Sequence, residues 1–94
     1  MEIKHNDTGK NGRFFIKNDT KKLAEMTYTY AGPNKIIIDH TEVDDSLRGQ
    51  GVGYKLVEAS VQFLRKNNLK VIPLCPFAKA VFVKKQSEYA DVLA

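Results

Sequence analysis

Between Leu47 and Tyr54 the chain reads Arg48-Gly49-Gln50-Gly51-Val52-Gly53, with glycines alternating just ahead of a stretch of helical periodicity. Amides at a helix start have no partner inside the helix, so they can converge on an anion. Glycines let the backbone approach phosphate oxygens closely and take conformations that a side chain forbids. The helix dipole adds an attraction of up to about 1 kcal/mol, and Arg48 places a fixed charge nearby. Diphosphate is the guest this chemistry suits. A Walker loop needs Gly-Lys-Ser/Thr after a four-residue spacer, and no such string occurs. The dinucleotide fingerprint needs a glycine where Leu56 stands. The alternative is a turn that only permits tight strand–helix packing, at a cost of roughly 1 kcal/mol per interior glycine.

Cys75 directly precedes Pro76, a residue suited to the first turn of a helix. A thiol there has its thiolate favoured by the dipole, which makes Cys75 a candidate nucleophile. A free cysteine is equally well a small core hydrophobe or a pocket lining. His40 shares a strand face with Glu42, and histidine as a residue type can change protonation near neutral pH, so it is the candidate base for an amine or for Cys75. The alternative for His40 is a hydrogen-bonded structural role. Asp39 and Glu42 are weaker candidates for the same proton transfer, and Asp44 and Asp45 are expected to cap or shape the turn ahead of the loop. With a single cysteine and 2 histidines, neither an internal disulfide nor a metal site is expected.

The elements that must position these residues follow from periodicity. The first twelve residues are rich in turn formers and hold a short edge strand at most. Arg13 to Lys17 reads as a strand closed by Asn18-Asp19. From Leu23 to Tyr30 the chain alternates, with Ala24, Met26, Tyr28 and Tyr30 facing one way and Glu25, Thr27 and Thr29 the other. Met26, Tyr28 and Tyr30 read as a core stripe. Ala31 to Asn34 is a turn, and Lys35 to Val43 is the next strand. Val52, Leu56, Ala59 and Phe63 then recur at helical spacing up to Asn67-Asn68. Lys70 to Leu74 is a short strand that Pro73 places at an edge or a splay. Pro76 opens a second helix with Phe77, Ala78, Val81 and Phe82 on its buried side. The stretch from Ser87 to Ala94 supports no single assignment. The expected fold is α+β: an antiparallel meander that merges through one parallel crossover into a mixed sheet.

Composition bounds the partners. The 94 residues form one domain by size, 1–94, with 43% apolar and 28% charged residues. Lys and Arg number 15 against 11 Asp and Glu, a net charge of +4 spread along the chain. That suits an anionic small ligand or simple solubility. No reader motif or aromatic–basic platform points to nucleic acid. No apolar run approaches the ~20 residues of a membrane span, and the start lacks a secretory signal, so a cytoplasmic location is expected.

The string Arg48-Gly49-Gln50-Gly51-Val52-Gly53 resembles the Arg/Gln-x-x-Gly-x-Gly/Ala signature of the GNAT acetyltransferases. Val43 stands at the usual distance before it, and the element order agrees across Lys35 to Phe82. Cys75-Pro76-Phe77-Ala78 with Glu88-Tyr89 looks like a short, single-domain GNAT-like subfamily. The resemblance implies that acetyl-CoA or CoA binds with its pyrophosphate on the backbone of Gln50, Gly51, Val52, Gly53 and Tyr54, beside Arg48 and Gly49. It implies that Val43 offers its backbone to the pantetheine arm in a V-shaped opening between this strand and the next. Of Lys55, Lys79, Lys84 and Lys85, Lys79 is the one expected at the 3′-phosphate. The chain departs from the pattern at Asp45, where many members have proline, and at Phe82, where many have a tyrosine acting as general acid. The leading functional expectation is acetyl transfer to an amine acceptor, directly or through Cys75. The other is a CoA-binding module or partner subunit without turnover.

Overall fold

Short polar turns fold the first half of the chain back on itself. The computed structural model describes residues 2–94. Strand β1 covers Lys4–Asp7 and β2 covers Asn11–Lys17. Between them Gly9 sits at a left-handed φ of 87° and its amide donates to Asp7 Oδ1 at 2.7 Å. Asn18 Oδ1 accepts from the amides of Thr20 and Lys21 and turns the chain into β3, Lys22–Tyr30. Gly32, at φ 96°, and Pro33 turn it again into β4, Lys35–Val43. A 3₁₀ turn at Asp45–Leu47 leads to helix α1, Val52–Asn67, then β5, Lys70–Pro73, and helices α2, Pro76–Lys84, and α3, Gln86–Tyr89.

The sheet has five strands in the order β1-β2-β3-β4-β5. The first four pair antiparallel, and β5 lies parallel to β4. This is the mixed sheet expected from the meander and the single crossover. Asn68, at φ 55° and ψ 43°, stops α1 in the left-handed conformation that asparagine tolerates. The stretch after Ser87, ambiguous in sequence, forms α3 and then lies along β5. Val71 N–H donates to Val92 C=O at 2.7 Å, and Ala94 N–H donates to Val71 C=O at 3.0 Å.

Alternation decides which face is covered. Phe14 and Ile16 of β2, Ala24, Met26 and Tyr28 of β3, and Ile36 and Ile38 of β4 point to one side. They join Leu56, Val57, Val61 and Leu64 of α1 and Ala78, Val81 and Phe82 of α2 in one cluster. Phe15, though 5% exposed, lies outside that cluster on the other face, where the Arg13 guanidinium sits 4.1 Å from its ring centre. Burying each large apolar side chain contributes roughly 1.5–3 kcal/mol, and this helix-covered face is where that contribution concentrates.

Candidate functional site

The glycine loop hangs between two buried anchors, Leu47 at its start and Val52 at its end. Asp44 caps the 3₁₀ turn ahead of it, accepting from Ser46 N at 3.0 Å and from Ser46 Oγ at 2.6 Å. These bonds and the Lys21 ammonium at 3.2 Å hold its carboxyl down at about 2. Asp45 instead pairs with Arg48, Nε to Oδ1 at 2.9 Å, and both side chains are exposed. Gly49 and Gly51 occupy left-handed φ values of 78° and 67°, with open space where a Cβ would project. Gly53 differs. Its backbone is helical, but a Cβ there would meet Cζ of Phe77 at 2.3 Å.

The consequence lies in the amides. The first bond entering α1 runs from Lys55 N–H to Gly51 C=O at 3.1 Å. Among the described residues, no backbone amide from Gly49 to Tyr54 donates to a protein acceptor. Gly49, Gln50 and Gly51 are exposed. The free N–H groups of Gly49, Gln50 and Gly51, at the positive end of a helix of 16 residues, are thus open to an anion, while Val52 and Gly53 behind them are buried.

On one side of this loop β4 and β5 part. Their pairing runs from Lys35↔Lys70 to Ile38↔Pro73. There the carbonyl of Ile38 accepts from both Leu74 N–H and Cys75 N–H, each at 3.0 Å. Beyond it β4 continues to Val43 with β3 as its partner, while the chain after Pro73 turns into α2. At the fork β4 carries a bulge. Thr27 pairs with His40 and Tyr28 with Ile38, which leaves Asp39 as the extra residue. Its carboxylate accepts from the hydroxyls of Thr27 and Thr29.

The bulge sets which side chains meet. It leaves both Asp39 and His40 exposed and returns Thr41 to the side of Cys75. Cys75 Sγ lies 3.3 Å from Thr41 Oγ1 and the residue is 6% exposed. Burial pushes its thiol up, but the Thr41 hydroxyl and the amides of Ala78 and Phe77 outweigh that, and the net direction is down. His40 pairs with Glu42, Nε2 to Oε2 at 3.4 Å, as their shared face requires. Thr41, not His40, is the polar side chain bonded to Cys75. The strand pattern hides this, because one inserted residue reverses the faces after it. Phe82 is 1% exposed and packs edge-on against Tyr89 at 5.5 Å.

Helix α2 presents two faces. Phe77, Val81, Lys84 and Lys85 follow helical spacing on one, next to the first turn of α1. The Phe77 ring lies 6.1 Å from that of Tyr54, edge to face, and the ammonium groups of Lys84 and Lys85 each lie 5.7 Å from the Tyr54 ring centre. Lys79 shares the other face with Phe82, Val83 and Gln86, lining a groove of about 310 Å³ with Ile72 and Leu74 of the β5 edge. Val43 is half-buried beside the opening of β4. Among the described residues no group of side chains is arranged to hold a metal ion, and no helix is long and apolar enough to cross a membrane.

Residues 13–92 match the profile of the GCN5-related N-acetyl-transferase family. The solution structure of a GCN5-like protein from Staphylococcus aureus is 47% identical, covers 99% of this chain and 87% of that one, and superimposes with a TM-score of 0.75. The Brucella melitensis ribosomal-protein-alanine N-acetyltransferase shares the fold at 12% identity and a TM-score of 0.68, covering 83% of this chain and 62% of its own. Protein NATD1 of Xenopus tropicalis is 33% identical over 58 residues, which is 62% of this chain. The aligned stretch spans 53% of the frog protein, about half the length of that curated relative.

Proposed function

The chain belongs to the GCN5-related N-acetyltransferase family, and from that premise we propose that it binds acetyl-CoA and transfers the acetyl group to an amine acceptor. The observation that carries this reading is the row of unpartnered amides from Gly49 to Tyr54, laid across the entry of α1 beside the β4–β5 fork. Diphosphate satisfies those donors, with Gly51 and Gly49 exposing them and Arg48 adding charge at the rim. The pantetheine arm then follows the free edge of β4 past Val43 toward the fork. Among the solved relatives, AAC(6′)-Iy, 10% identical with a TM-score of 0.55, was determined with the bisubstrate analogue CoA-S-monomethyl-acetylneamine. That complex supports a CoA-derived ligand for a fold of this kind.

At the fork two routes are chemically complete. In the direct one the amine nitrogen forms the new bond to the acetyl carbon, the carbon–sulfur bond of the thioester breaks, CoA leaves as its thiolate, and His40 accepts the amine proton. In the relay, Cys75 as thiolate takes the acetyl carbon, the same carbon–sulfur bond breaks, and the CoA thiolate leaves. The amine then attacks the Cys75 thioester and restores the thiol. The downward direction of the Cys75 thiol favours the relay. A CoA-binding module without turnover is the second reading, favoured by the buried, hydroxyl-free Phe82 where many family members carry a tyrosine.

Incubation of the protein with acetyl-CoA, followed by intact mass and amide shifts, tests all of this. Shifts centred on residues 50–54 and a single acetyl adduct abolished by Cys75→Ala are expected. Binding with neither adduct nor thiol release to an amine leaves the module. Unmoved resonances in that segment at saturating CoA defeat both readings.

A further inference from the structure

Beside the glycine loop, two aromatic rings and two lysines gather at the first turn of α1. Tyr54 and Phe77 are each 38% exposed, unusual for rings of this size on a small protein, and they meet edge to face beside the first turn of α1. Lys84 and Lys85 converge on the Tyr54 ring from α2. Among the described residues neither ammonium has a carboxylate within ion-pairing distance, and neither does Lys55. Two acids do line the adjoining cavity of about 250 Å³, Glu58 and Glu88. The Glu58 carboxylate is occupied by the Tyr89 hydroxyl at 2.6 Å. The Lys85 charge still helps hold the Glu58 carboxyl below its ordinary value, but cations near an aromatic face with no carboxylate at ion-pairing distance are available to an anion that arrives with a flat ring.

We propose that Tyr54, Phe77, Lys84 and Lys85 seat the 3′-phosphorylated adenosine of CoA, so that this chain discriminates CoA from dephospho-CoA. The proposal rests on the diphosphate lying on the Gly49–Tyr54 amides. From that position a single ribose separates the diphosphate from the 3′-phosphate, and the α2 face carrying Phe77, Lys84 and Lys85 is the one turned toward α1. The purine contacts the Tyr54–Phe77 pair, and the 3′-phosphate draws the lysine ammoniums off the Tyr54 ring into charge-assisted hydrogen bonds. Lys79, expected from sequence to do this, lies on the opposite face of α2 over an apolar groove.

Calorimetric titration of the full chain with CoA and with dephospho-CoA tests the assignment. CoA is expected to bind about tenfold or more tightly, equivalent to about 1.4 kcal/mol. Lys84→Ala/Lys85→Ala removes that difference by weakening CoA alone, dephospho-CoA binding stays as in the wild type, and Lys79→Ala changes neither ligand. Lys79 and Lys84 are exposed and Lys85 is half-buried, and an unchanged melting temperature of each variant shows that it folds. Equal binding of the two nucleotides by the wild type, or loss of the difference in Lys79→Ala, overturns the assignment while leaving the diphosphate reading intact. Failure of both nucleotides to bind removes the diphosphate reading and the seat together.

Discussion

Gly49, Gly51 and Gly53 look alike in the sequence, yet each answers a different constraint. At Gly49 and Gly51 the backbone is left-handed and the space around it is empty, so an added methyl group meets strain and no clash. At Gly53 the backbone is ordinary and the obstacle is the Phe77 ring. Gly51→Ala is therefore expected to destabilise the fold by about 1 kcal/mol, the cost of a left-handed alanine, measured as a lower urea midpoint. On the proposed reading the same variant is also expected to bind CoA more weakly, because relaxing that strain reorients the Gln50 and Gly51 amides. A urea midpoint equal to that of the wild type would show that the loop does not hold this conformation in solution.

At the scale of elements, β1 is tied to the sheet by a polar chain at one end of the core. His5 stacks on Phe14 at 4.1 Å and meets the edge of Phe63 at 4.6 Å. Its Nε2 lies 2.6 Å from the Tyr28 hydroxyl, which donates to Asp7 Oδ2, as does Tyr30. Because the one hydroxyl hydrogen of Tyr28 goes to Asp7, His5 Nε2 must be the donor in its bond to Tyr28. Burial against the rings lowers the His5 pKa below 6.5, and the Asp7 charge opposes this without reversing it. Burial and the bond to Asp7 push Tyr30 up to about 12. With the folded pKa of His5 below the unfolded value, the unfolded chain binds the extra proton first, so stability falls as pH drops below 6.5. Urea midpoints taken from about pH 8 to about pH 5 are expected to decline in the wild type, and that component is absent in His5→Phe. An identical slope in the variant would remove His5 from the account.

For the whole molecule, one apolar cluster joins the sheet to both long helices, so the loop and the fork share their support. Leu56, fully buried one turn into α1, belongs to that cluster. Leu56→Ala is expected to cost about 2–5 kcal/mol by the cavity it leaves, a large share of the stability of a small domain. Calorimetric melting should show a single transition at lower temperature, with the CoA-dependent rise in Tm retained. A variant that melts as the wild type does would place Leu56 outside the cooperative core.

How far the sequence was legible depends on the range of the interaction that decides each feature. Strand and helix periods, the stop at Asn68 and the glycine loop are local, because a few neighbouring residues determine backbone torsions and the apolar face. Lys35–Val43 as a strand and Val52–Asn67 as a helix followed from that alone, and so did the likeness to the acetyltransferase signature. The bulge at Asp39 did not. It is a property of how β4 registers on β3, and it placed Thr41 rather than His40 against Cys75. The fork after Ile38, the pairing of Phe77 with Tyr54 and the placing of Lys79 and of Lys84 on opposite faces of α2 likewise needed distant elements set against one another. Alternation and helical spacing say which residues share a face. Which face meets which is decided only when distant elements pack, because that contact energy has no counterpart within either segment.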